Sequence, residues 1–163
     1  MKITMELSAK SVGEAIKQLR QYEKHLDEKV DELCRRLAEE GVEAAKANVP
    51  VDTGWLQSGI SVERVGDKDY LVVSAGKYAA FVEFGTGVVG QGSYAGELPS
   101  GYTYNDGQTP AAHDPMDPDA WFYYDAYGVR RRTKGHAAQP YMLDTAEYIR
   151  ASVMEIAKEV FAA

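Results

Sequence analysis

The chain has a single cysteine, Cys34, so no disulfide can close within it. Its place in a helical apolar pattern marks it as a small buried hydrophobe and fits a reducing compartment. Long apolar runs are missing as well. Residues 1–7 alternate apolar and polar side chains instead of forming a leader's apolar core, and no later stretch is long enough to span a bilayer. The expectation is a soluble, cytosol-made protein with no membrane partner. Basic charge is scarce: 18 Lys and Arg stand against 25 Asp and Glu, a formal net charge of -7. That balance argues against a general nucleic-acid binder, which needs a basic face to neutralise phosphates. Histidine is scarce too, and His25, His113 and His136 have no metal-ligand spacing with Cys34. No metal or cofactor site is expected. His113, Asp114, Asp117 and Asp119 read as a solvated acidic loop, with weak attraction for a cation as the alternative.

What is present suffices for one core. The 163 residues, 45% of them hydrophobic, are the size of one domain spanning 1–163. Ile3, Met5 and Leu7 alternate as in a short half-buried strand. Ser11 and Glu14 have capping-box spacing, and Ile16, Leu19, Tyr22, Leu26, Val30, Leu33, Leu37 and Val42 then keep a helical stripe until Pro50. A helix from Ser11 to Asn48 is roughly 57 Å long at 1.5 Å per residue, so it projects or breaks, with His25 and Gly41 as candidate irregularities. Pro50 to Gly54 reads as a stop and turn in which Asp52 accepts backbone N–H groups. Leu56 to Val65 and Tyr70 to Ala75 are β-rich runs around a Gly-Asp-Lys-Asp turn, an antiparallel hairpin with Trp55 anchoring its base.

The densest local pattern is Tyr78-Ala79-Ala80-Phe81-Val82-Glu83-Phe84-Gly85-Thr86-Gly87. Tyr78, Phe81 and Val82 share one face of a short helical turn, Glu83 sits at its end, and Gly85 and Gly87 make a tight exit. Residues 88–127 then contain no Lys or Arg but six acidic residues, four prolines and six tyrosines. A connection this long is functional or disordered more often than structural. Its tyrosines point to an arm that orders against a partner, with Tyr94, Tyr102, Tyr104, Trp121 and Tyr123 as contacts. Trp121 to Tyr124 and Val129 to Thr133 have the pattern of a second hairpin, and Arg130, Arg131, Arg132 and Lys134 supply the opposite charge, for acidic groups on a neighbour or for phosphate. Gln139 and Pro140 open a terminal helix with Met142, Ala146, Ile149, Val153, Ile156 and Val160 on its apolar side. The sum is an α+β fold: long N-terminal and C-terminal helices packed on an antiparallel sheet, with a long inserted arm at 88–127.

Three motifs in this order, Ala-Asn-Val-Pro-Val-Asp-Thr-Gly-Trp-Leu, Tyr-Ala-Ala-Phe-Val-Glu-Phe-Gly-Thr-Gly and Gln-Pro-Tyr-Met, resemble the phage tail-component family. Its members act as tail completion proteins at the head-to-tail neck of long-tailed bacteriophages. The resemblance covers residues 11–87 and 129–163, and the expanded 88–127 segment departs from it. It implies architectural or subunit-interface roles, without chemistry, for Asp52, Thr53, Gly54, Tyr78, Glu83, Gly85, Thr86, Gly87, Gln139 and Pro140. It also implies a ring of copies between head-side connector proteins and tail terminator or tail tube proteins, in the virion, with DNA passing through unbound. A tail terminator or minor capsid component of the same machine is the alternative.

Other functions have narrower support. Asp52-Thr53-Gly54 matches the triplet by which aspartic proteases present a carboxylate, but it closes a helix and lacks a later counterpart. Gly85, Gly87 and Gly90 match a dinucleotide fingerprint without the helix it needs. A DNA-contacting module at Arg130 to Lys134 has an acid-rich neighbour and predicts weak or no binding.

Overall fold

The computed structural model describes residues 9–104, 113–125 and 127–162. The expected strand at residues 2–7 lies outside them. α1 (Ala9–Asn48) is one uninterrupted helix of 40 residues, about 60 Å long. It is already helical at Ala9, so Ser11 and Glu14 lie within it and form no capping box. Neither His25 nor Gly41 breaks it. Gly41 serves a different need, because a Cβ there would stand 2.6 Å from Ile149 Cδ1 and 2.9 Å from Val72 Cγ2. Three elements meet on that bare backbone.

The chain leaves α1 through Pro50 to Gly54. Gly54, at φ 78°, precedes the one-turn helix α2 (Trp55–Ser58). Leu56 to Ser58 are thus helical where the sequence pattern suggests strand, and the strand proper is β1 (Ile60–Arg64), antiparallel to β2 (Tyr70–Ser74) with Ile60 opposite Ser74 and Arg64 opposite Tyr70. Trp55 does not anchor the hairpin; it is 77% exposed. The hairpin is tied to α1 by polar contacts, Tyr70 Oη to Asp31 at 3.0 Å and Lys68 Nζ to Asp27 at 2.7 Å.

α3 (Ala79–Phe84) and α4 (Gly87–Gly90) are short. Beyond them come β3 (His113–Asp114), β4 (Asp117–Tyr124), β5 (Arg130–Thr133), β6 (Gly135–His136) and α5 (Tyr141–Ala162). The α+β class holds, with the strands divided between a two-stranded sheet, β1-β2, and a three-stranded one, β3-β4-β5. The second hairpin pairs Trp121 with Thr133 and Tyr124 with Arg130, and Gly128 and Val129 close its turn on Asp125.

α5 lies antiparallel to the C-terminal half of α1. Ile149 meets Gly41, Arg36 pairs with Glu159 at 2.6 Å, and Lys29 donates to the Val160 carbonyl. The core sits between these helices and the first hairpin: Val42, Ala45, Val49, Ile60 and Tyr141 are buried, with Leu56, Val62, Val72, Val82 and Met142 against them. Cys34 is only partly buried beside this core.

Candidate functional site: the Glu83 junction and the inserted arm

Placing Phe81 and Val82 inward on a six-residue helix brings Glu83 inward as well, since three consecutive positions cover most of a turn. Glu83 is 5% exposed. A buried carboxyl needs donors, and it finds them at the start of α5, 60 residues further on: Met142 N–H reaches Oε2 at 2.8 Å and Leu143 N–H reaches Oε1 at 3.0 Å. These are first-turn amides without an intrahelical acceptor, and negative charge is favoured at a helix N-terminus. Burial pushes the Glu83 carboxyl above its ordinary range, against the two amides and the Tyr94 hydroxyl, which pull it down. Gln139 N–H donates to the Val82 carbonyl at 2.8 Å, and Pro140 precedes the helix where no N–H is needed. Glu83, Gln139 and Pro140 therefore form one junction.

The glycines complete it. Gly85 (φ 80°) and Gly87 (φ 61°) take a left-handed path, and a Cβ on Gly87 would lie 2.2 Å from the Lys134 carbonyl oxygen. Thr86 is buried and bridges His136, and Gly87 bridges Gly135. The glycines of the apparent dinucleotide fingerprint are spent on backbone packed against backbone, and the four-residue α4 is no phosphate-binding helix.

The first part of the arm folds onto this junction. Tyr94 Oη donates to Glu83 at 3.3 Å, Tyr102 Oη donates to the Gly85 carbonyl, and Gly87 N–H donates to the Tyr104 carbonyl at 2.6 Å. Phe84 stands between the rings of Tyr94 and Tyr102, at centroid separations of 4.9 and 5.0 Å. Within the chain these three tyrosines already have occupants, a different use from the expected partner contacts. Residues 105–112 of the arm lie outside the described residues.

The second part of the arm is zipped by charge. Arg132 reaches Asp114 at 2.6 Å and Asp117 at 2.7 Å, Lys134 reaches Asp117 at 2.8 Å, and Arg131 reaches Asp125 at 2.9 Å. The cations hold the carboxyls of Asp114, Asp117 and Asp125 below the usual range, helped at Asp125 first of all by the Val129 N–H. Arg130 lies over the Phe122 ring at 3.8 Å. The basic cluster is thus matched inside its own sheet, and the acidic group considered for a cation holds Arg132 and Lys134 instead. Trp121 is half-buried near Gly87, while Tyr123, Tyr124, Tyr127 and Met116 are exposed.

Other sequence-derived positions stand apart. Asp52 and Thr53 are exposed on the turn after α1, and among the described residues Asp52 makes no hydrogen bond, unlike a carboxylate sharing a proton in a dyad. Tyr78 caps α3 from outside, 71% exposed, with its ring 6.4 Å from that of Phe81. Sequence reasoning missed Tyr141, which is 2% exposed and donates to Ser74 Oγ at 2.9 Å. It also missed Ser93, whose Oγ accepts the Ala138 N–H at 2.8 Å. An aromatic directly after the Gln-Pro helix start was the available signal for Tyr141; Ser93 had none. Among the described residues no group of His, Cys, Asp and Glu is arranged to hold a metal ion, and no helix is long and apolar enough to cross a membrane.

Comparison with known proteins returns a family whose description reads "Bacteriophage HK97-gp10, putative tail-component", matched at residues 13–85. No curated protein and no solved structure matches the chain. The matched stretch runs from the first turns of α1 to the glycine that ends α3. Over residues 13–85, a little under half of its length, the chain is similar to the HK97-gp10-like family of bacteriophage tail components.

Proposed function

We propose that the chain is a non-enzymatic tail-completion subunit at the head-to-tail neck of a long-tailed bacteriophage, one of a ring of copies around the DNA channel. The match at residues 13–85 carries this reading. Three features support it. A helix about 60 Å long on a small body offers a reaching element, and a reaching element with a separate body surface is what closed head-to-tail rings require. The junction at Glu83 serves architecture, since its carboxyl is consumed by backbone amides. A chain of net charge -7 whose exposed basic cluster is internally paired suits a channel that lets DNA slide past. The neighbours are connector proteins on the head side and tail terminator or tail tube proteins on the other, assembled in the bacterial cytoplasm.

The test is electron microscopy of lysates from a phage lacking this gene, with and without the gene supplied on a plasmid. Filled heads and separate tails that join on restoration are expected. Intact infectious particles without the gene overturn the reading. Restoration with residues 113–133 replaced by a short linker removes the arm's sheet and keeps its base on the Glu83 junction, which separates a role of that sheet from that of the body.

A further inference from the structure

α5 ends beside Lys29, where Val160 accepts the lysine's hydrogen bond, and α1 continues past that end to Ala9, tied to the first hairpin at Asp27, about 30 Å of helix. Its side chains do not match a solvated helix. Val12, Ile16, Leu19, Tyr22 and Leu26 are 38 to 52% exposed around a buried Ala15, and they continue the stripe of Leu33 and Leu37. Leu37 shares a groove with Ile149 of α5, so the stripe is the α1–α5 contact carried past the end of α5. Charge separates the outer turns of this half from the rest, Asp27 and Glu28 marking the boundary. Residues 9–24 hold Lys10, Lys17, Arg20 and Lys24 against Glu14 and Glu23, a net of +2 in a chain of -7, which leaves -9 elsewhere.

The body carries a groove of about 550 Å³, walled by α1, the first hairpin and α5, with Cys34, Leu37, Val65, Leu71, Met142 and Ile149 in its lining. Leu71 and Val65 are 50% and 58% exposed at its mouth. Lys68 and Asp69 both line it, and around its rim Asp27, Asp31, Asp67 and Asp69 outnumber Lys68 and Arg64, four carboxylates against two cations. Apolar stripe and apolar groove, basic flank and acidic rim are complementary, and both lie on one chain.

We propose that the free half of α1 docks in the groove of a second copy of this chain, head to tail. Side-by-side pairing that brings the outer turns of two free halves together is disfavoured, because residues 9–24 carry +2 in each copy. A heterologous contact leaves one helix and one groove open at every stage, so it propagates until it closes. The proposal rests on the ring reading for its setting and names the contact that builds the ring.

Cys34 makes the test direct, as the chain's one thiol lies in the groove. The Leu19→Cys protein, concentrated and treated with a short bismaleimide, is expected to give a ladder of dimers, trimers and larger species. The ladder disappears when Cys34→Ser is added. It falls several-fold at low salt when Lys17, Arg20 and Lys24 are changed to Glu. Dimers that persist without Cys34 show two free halves lying together and overturn the proposal. The same variants in particles of the restored phage separate the two readings. Chain present in particles, with no ladder there or in solution, overturns the docking and leaves the tail role standing. Chain absent from particles overturns the tail role, and the ladder in solution then decides the docking alone.

Discussion

In the body, Val42, Ala45, Val49, Ile60 and Tyr141 are all 7% exposed or less, whereas in the arm's sheet Ala120 alone among the described residues is as buried and Tyr124 and Tyr127 stand 73% and 91% exposed. The body is held by apolar area removed from water, a force that salt and acid hardly touch. The arm's sheet is held by backbone pairing and by ion pairs at the surface, each weak and each screened by salt. Two parts of one chain therefore answer differently to the same change of solvent, and the base of the arm, with Tyr94 and Tyr102 packed on Phe84, belongs with the body.

The largest effect is expected at Tyr141. Tyr141→Ala empties the centre of the core and leaves Ser74 without its partner, a loss of about 3–5 kcal/mol in denaturant unfolding. A loss under about 1 kcal/mol would show that the body is not built around that ring. Next comes Glu83→Gln, which sets an amide NH2 against one of two helix-start amides and costs about 1–3 kcal/mol. Its sign with pH is distinctive. Because burial raises the folded carboxyl above its ordinary 4.5, the wild-type contribution is fullest below that value and declines as pH rises through the folded one. The gap between wild type and Glu83→Gln narrows across that window, and a gap that widens contradicts the assignment.

The arm responds the other way. Asp114, Asp117 and Asp125 titrate below their ordinary 3.8 when folded, so their contribution is present above that pH and is lost as pH falls through the folded values. In a Trp55→Phe background, Trp121 fluorescence reports the arm alone. It is expected to change below about pH 4 and on adding 1 M salt while helical circular dichroism holds. Simultaneous loss of both signals would join arm and body into one cooperative unit. The smallest effect is predicted at Trp55, where Trp55→Ala stays within about 0.5 kcal/mol of wild type in thermal unfolding, as befits a ring 77% exposed.

Much of the fold was legible in the residues. The stripe from Ile16 to Val42 announced α1, the turn residues around Gly66 and Gly128 announced both hairpins, and Pro140 announced the start of α5, because each depends on neighbours within one or two turns of chain. Gly85 and Gly87 were legible as positive-φ positions for the same reason. The candidate site was less so. Glu83 stood out, but its partners are 60 positions away, and no local pattern marks which helix end a carboxyl will cap. The tyrosines of the arm divide: Tyr94 and Tyr102 pack on Phe84 within the chain while Tyr123, Tyr124 and Tyr127 stay exposed, a division that composition does not carry, since it says that an aromatic will be covered and not by what. Trp55 failed for the mirror reason: a large ring beside a turn was expected to anchor it, and the hairpin is docked instead by Tyr70 and Lys68 on α1.

Periodicity, turn chemistry and charge balance settled the helices, the hairpins and the acidic character of this protein, because those are set by side chains adjacent along the chain. Folding in three dimensions decided the rest: that Gly41 is a contact and not a kink, that Glu83 closes the start of α5, that Arg132 spends its charge on Asp114 and Asp117, and that α5 ends beside Lys29, short of the first half of α1. Each depends on which distant groups share one small volume, where burial turns an ordinary carboxyl or methylene into a contact and its absence leaves a surface open.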